Sequence, residues 1–344
     1  MTFLPADDHM LIMNVNTYMY NKHGTCASLT DEDLSRLRDI GAQTVVQYAQ
    51  WAILAEHGWG YLDTAVALAR KHGLRCMIDT YCMAAANLPK AWYSWKPDGM
   101  VGVAKGTGGL TISLWNMEAH TALFRHIGEI VNRYPGGDVA VVFTGRGSGE
   151  TVLLNDGFYD PAALASHAEE VGGRPDRNNP ETKAWVHRAV VAYYTKFDGA
   201  LLHHHNQTWN AISPPALKNN ECGGIGAQED IFAAEYELWP DADRYLMQYT
   251  YWRNTKNGYR AILDGWREKY KLQMIVEADH CTGLPRTAPL AIAAGMRGQI
   301  VGPVHPCAGT LRLEQEHIDV IAAAIRLWEQ ADEERKGEQH EQDQ

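Results

Sequence analysis

The chain predicts an α/β protein, a (β/α)8 TIM barrel in one domain with a long loop after strand 3. Three observations carry this. Short apolar runs recur along the chain, and segments with helical spacing of apolar residues separate them. Capping residues and glycines mark the starts and stops of those segments. Two apolar runs also lead to a glutamate, at the strand ends where parallel α/β sheets keep their sites. These runs are Met274-Ile275-Val276-Glu277 and the stretch from Val139 through Gly145-Arg146-Gly147-Ser148-Gly149 to Glu150.

The elements follow in order. A first strand spans 10–18 and carries Asn14 and Asn16. Thr30 caps a helix at 31–40, where Leu34, Leu37 and Ile40 keep helical spacing until Gly41. The second strand, 43–50, finishes at Trp51. A helix at 60–72 stops at Gly73, and a third strand at 75–81 delivers Asp79. The excursion 82–115 holds Trp92, Tyr93 and Trp95. A loop of that length rich in aromatics predicts an ordered wall of a binding cleft. A helix at 116–133 ends at Pro135-Gly136-Gly137, and the fourth strand runs toward Glu150. Helices at 161–171 and 181–203 precede a fifth strand at 207–212, with Trp209 and Asn210. A helix at 229–238 leads to the sixth strand, 244–251, which brings Tyr249 and Trp252 to its end. A helix at 258–270 precedes the seventh strand and Glu277. A short helix at 286–295, an eighth strand at 299–304 followed by His305, and a helix at 314–330 complete the barrel. The barrel domain is thus expected over 1–330, with 331–344 a charged, disordered tail.

The chain has 344 residues, 45% of them hydrophobic, which suffices for one large core. Its net charge of −11 argues against a nucleic-acid or anionic-membrane surface, since no basic excess exists to neutralise phosphates. No apolar run reaches membrane-spanning length. The first residues lack the basic and apolar regions of a signal peptide, so a cytoplasmic location is expected, with secretion left open. Self-association is also left open. Six scattered cysteines without a C-x-x-C pair predict free thiols. Eleven Trp and sixteen Tyr against six Phe fit a large core or a sugar-binding cleft. In such a cleft the CH faces of sugars stack on rings, and indole or phenol groups bond hydroxyls.

The stretch Gln50-Trp51-Ala52-Ile53, then His57-Gly58-Trp59-Gly60-Tyr61-Leu62-Asp63 and Ala69-Arg70-Lys71-His72-Gly73-Leu74, resembles the second strand–helix unit of glycoside hydrolase clan A. Family 42 β-galactosidase-like barrels are the nearest named family. The resemblance implies an acid/base glutamate after strand four, here Glu150, and a nucleophilic glutamate after strand seven, here Glu277. One position departs: Gly149 stands where clan members carry Asn. In a retaining glycosidase the two carboxyls lie roughly 5–5.5 Å apart, one attacking the anomeric carbon and the other protonating the leaving oxygen. The implied substrate is a carbohydrate, and no cofactor is called for.

Other candidates surround this pair. Asp79, Asn16 and Asn210 could bond sugar hydroxyls. Trp51, Trp209, Tyr249 and Trp252 fall at strand ends, where a sugar platform would lie, and Trp92 and Trp95 stand in the loop wall. Arg146 could meet an anionic substituent or pair with Glu150 or Asp156. His280 neighbours Glu277. With Asp79, Glu277 and His305 it offers an alternative, a metal-dependent barrel hydrolase or isomerase. A barrel that binds carbohydrate without turnover is a third reading. The run His203-His204-His205 sits at a helix end, where adjacent side chains diverge and dipole compensation is the simpler role.

Overall fold

A computed structural model describes residues 10–14, 30–49, 51–80, 87–102, 110–142, 157–205, 207–212, 225–248, 259–278, 283–301 and 313–342. Eight strands alternate with helices: β1 Met10–Asn14, β2 Thr44–Tyr48, β3 Arg75–Asp79, β4 Val139–Val142, β5 Gln207–Ile212, β6 Asp243–Gln248, β7 Leu272–Ala278 and β8 Gly298–Val301. They form one sheet in the order β4-β3-β2-β1-β8-β7-β6-β5, and every pair is parallel. The two ends of that order, β4 and β5, also come into contact. Parallel neighbours require crossover connections, and these are the helices.

The helices are α1 Asp31–Asp39, α2 Trp51–His57, α3 Gly60–Lys71, α4 Met117–Arg133, α5 Pro161–Glu170, α6 Pro180–His205, α7 Ile225–Leu238, α8 Tyr259–Tyr270, α9 Leu284–Ala293 and α10 Gln315–Gln342. Local chemistry sets their ends. Thr30 and Asp33 form a capping box at α1, with Asp33 N–H donating to Thr30 Oγ1 at 3.1 Å and Thr30 N–H to Asp33 Oδ2 at 3.0 Å. Gly73 follows α3 in the left-handed region at φ 67°, a conformation that costs other residues more.

Most boundaries lie within a few residues of expectation, with two departures. Trp51 opens α2 instead of closing β2. The closing helix runs on to Gln342, through the segment expected as a disordered tail. Its residues are mostly strong helix formers, Ala331 and Asp332 are buried, and Asp332 pairs with Arg335 one turn on. The helices' apolar faces close over one side of the sheet. Val45, Cys76, Ile78, Val139, Val141, Leu272 and Met274 meet Leu37, Leu62, Ile127 and Trp328 there. Gln299 of β8 faces this layer, donating to Thr287 Oγ1 of α9 at 3.1 Å and accepting from Trp328 Nε1 of α10 at 3.3 Å. Among the described residues, no helix is long and apolar enough to cross a membrane.

Candidate active site

Paired residues in a parallel ladder point to the same face, and alternate residues along a strand point to opposite faces. Two faces can therefore be traced through the sheet. Met77, Ala140, Tyr245 and Ile275 are buried yet stand outside the helix-packed cluster, which marks their side as the inner face. Asp79 pairs with Tyr48, Val46 with Asn14, Ile12 with Ile300, and Ile300 with Glu277. By this register, position 277 lies on the same inner face as Asp79, one residue before the end of β7. Trp209 pairs with Tyr245, and Met247 with Ile275, so position 209 shares that face. Asn210 pairs with Leu246 and falls on the opposite, helix-covered face.

Asp79 closes β3 and is 2% exposed. Its backbone carbonyl accepts from Ala49 N–H at 2.7 Å, which carries the sheet one residue past β2. Trp51 stands two residues beyond Ala49. Its indole is half-buried and stacks on His126 of α4, with centroids 5.5 Å apart and planes at 16°. Trp59 lies against the same imidazole at 6.2 Å. His126 Nε2 is buried without a hydrogen-bond partner among the described residues. Burial between these rings pushes its pKa down to about 4, so the ring is neutral at ordinary pH. One face of the expected Trp51 platform is therefore already occupied.

The excursion after β3 is ordered where it is described. Bridges join Tyr93 to Ile112 and Trp95 to Val101. Trp92 Nε1 donates to Glu118 Oε2 at 3.2 Å, and Trp95 Nε1 to the Lys90 carbonyl at 3.0 Å. Lys90 Nζ lies 4.8 Å from the Trp95 ring centroid. The Trp92 N–H thus ties the excursion to α4, and the Trp95 N–H braces it from within. The excursion is also tied to the segment that follows β4. Tyr159 N–H donates to the Trp95 carbonyl at 3.0 Å, and Arg174 Nη2 to the Pro97 carbonyl at 3.0 Å. Ser113 Oγ donates to Asp160 Oδ1 at 2.8 Å. Neither Ser113 nor Asp160 stands among the residues that the sequence singles out. The Asp-Pro step at 160–161 is the cap signal that marks the latter.

Asn16, Arg146, Glu150, Tyr249, Trp252, His280 and His305 lie outside the described residues, as do the side chains of Trp209, Asn210 and Glu277. Among the described residues, no group of His, Cys, Asp and Glu could hold a metal ion.

No protein-family model matches the chain. A probable glucan 1,3-β-glucosidase D of Neosartorya fischeri is 30% identical over 182 residues, which cover 50% of this chain and 19% of the relative. Its counterpart in Aspergillus terreus is 25% identical over 182 residues, with the same coverage of 50% and 19%. The match thus spans only 19% of these relatives' length. The catalytic domain of β-amylase from Paenibacillus polymyxa has a similar structure, with TM-score 0.63 at 11% identity over 92% of this chain and 98% of that one. A trimodular endoglucanase of the GH5_4 subfamily matches with TM-score 0.50 at 10% identity, over 94% of this chain and 61% of that one. At such identities the likeness is one of fold, and it is to glycoside hydrolases, family 5 among them. Family 42 is not singled out.

Proposed function

We propose that the chain is a retaining glycoside hydrolase on a closed (β/α)8 barrel, with residues 1–330 as its catalytic domain. The observation that carries this reading is the place of Glu277, on the inner face of the sheet and one residue before the end of β7. Strand C-termini are where barrel enzymes hold reacting groups.

In this reading Glu277 is the ionised nucleophile and attacks the anomeric carbon. Glu150 begins protonated and gives its proton to the leaving oxygen. It then takes a proton from the water that releases the glycosyl enzyme. The Glu277 charge and desolvation would hold the Glu150 pKa high enough for the first step. Asp79, on the same face, would bond a sugar hydroxyl, and Trp209 would offer a ring to the sugar face.

The names of the curated relatives make β-1,3-linked glucan the first substrate to try, and the family 42 resemblance adds aryl β-galactosides. The test is proton NMR of the first product formed from these substrates. Retention of the anomeric configuration is expected. An inverted product, or no hydrolysis of any β-glycoside, would end the reading.

A further inference from the structure

A second surface lies on the helical exterior. Arg188, Ala192 and Lys196 are four residues apart on α6, so they form one exposed row along about 12 Å of helix. A cleft opens on each side of this row, and all three residues line both clefts. One cleft, of about 700 Å³, lies toward α7 and contains Trp239, Leu238, Val191, Thr195 and Gly199. The other, of about 480 Å³, lies toward α4 and α5 and contains Trp115, Met117, Ser166 and Glu170. Both volumes are in the range of ligand sites.

Each cleft has an indole in its wall, and each indole is held from behind. Trp115 stacks on buried Trp185, with centroids 4.1 Å apart and planes at 13°. The Trp239 ring lies over Gly199, where a Cβ would come within 2.8 Å of ring carbon Cζ2. Leu238 and Met117, at 56% and 57% exposed, extend the apolar area at the far sides.

The rim carries balanced charge. Arg188 Nη2 meets Glu170 Oε2 at 3.1 Å, and His187 Nε2 meets Asp230 Oδ2 at 2.6 Å. Ser166 Oγ donates to Glu170 Oε1 at 2.7 Å and accepts from Trp185 Nε1 at 3.0 Å. Such a rim selects neither a polyanion nor a polycation. It offers hydrogen-bonding groups to a neutral ligand rich in hydroxyls, and Arg188 still presents donors beyond the one that meets Glu170. Two indoles on either side of one helix suit a chain of sugar units better than a single sugar.

We propose that the two clefts flanking α6 form one exterior binding surface for a neutral polysaccharide chain, separate from the strand-end site. This rests on the carbohydrate reading of the chain and extends it to a second site.

The test is electrophoretic retardation of the protein in gels containing a soluble β-1,3-glucan or, separately, a β-1,4-glucan. It compares the wild type with Ala192→Leu and Lys196→Ala. Both positions are exposed on α6, so both variants are expected to fold. A larger side chain at Ala192, which lines both clefts, should weaken retardation by about fivefold or more, a loss of one well-made contact. Lys196→Ala should weaken it less. Turnover of a small aryl glycoside should be unchanged in both. Equal retardation of wild type and both variants would overturn the proposal, as would a wild type that neither glucan retards. The retardation reading does not depend on turnover, so failure of the glycosidase reading shows separately, as absent hydrolysis.

Discussion

Ser113 and Asp160 meet in a 2.8 Å hydrogen bond with both side chains at 0% exposure. The bond joins the excursion after β3 to the start of α5, in the segment after β4. Asp160 Oδ1 also accepts from Ala163 N–H at 3.1 Å and so caps α5. One carboxylate thus serves a helix and a long loop together. Replacing it leaves a buried hydroxyl and a helix start without an acceptor. Asp160→Ala is expected to destabilise the fold by about 2–3 kcal/mol, read by urea denaturation. A change below about 0.5 kcal/mol, the level of ordinary surface substitutions, would contradict this.

His126 predicts a pH dependence of stability. Burial lowers its folded pKa from 6.5 to about 4. Between those values the unfolded chain binds a proton that the folded chain does not. Stability therefore falls as pH drops from about 6.5 toward about 4, by up to ~3 kcal/mol from this group, and its share is constant below that. His126→Phe keeps an aromatic ring between Trp51 and Trp59 and removes the titration. The stability–pH slope of that variant should be shallower through this window; an identical slope would count against the buried neutral imidazole.

Cys76 lies in β3 at 0% exposure, and burial pushes its thiol up to about 12. Thiolate is the reactive form, so almost none exists at neutral pH. Iodoacetamide should leave Cys76 unmodified in the folded protein and modify it in urea, as mapped by mass spectrometry. Labelling at equal rates in both states would refute its placement in the core.

Glu150→Ala is expected to slow hydrolysis of poor leaving groups far more than of good ones. A good leaving group departs without protonation, so loss of an acid matters less. The measurement is kcat/KM across aryl glycosides of graded leaving-group pKa. An equal loss across the series would remove Glu150 from the acid role.

Much of the alternation of strands and helices was legible because its signals are local. Thr30 with Asp33 and the glycine at 73 act within one turn of chain, so α1 and the end of α3 can be read without tertiary information. α2 was not legible in this way. It begins three residues after the paired end of β2, and an apolar run starting at Trp51 reads as strand as readily as helix. The end of α10 turned on burial: its charged composition reads as a tail, while Ala331 and Asp332 are buried in the fold. At the site, the places of Asp79 and Glu277 near the ends of their strands followed from the apolar runs that lead to them, while the face they share emerges only from the pairing of strands across the sheet. The work of Trp92 was hidden, because its partner Glu118 lies on the next helix and no periodicity reports it. The Asp-Pro step marks Asp160 as a helix cap, but its bond to Ser113 was silent for the same reason, since that partner is remote in sequence.

The central claim is that Glu277 is the nucleophile of a glycosidase. Its most direct measurement is turnover of an accepted aryl β-glycoside by purified Glu277→Gln. The amide keeps the shape of the side chain and cannot form the glycosyl ester, so turnover should be abolished while the thermal midpoint stays near that of the wild type. Hydrolysis by Glu277→Gln at the wild-type rate would contradict the assignment.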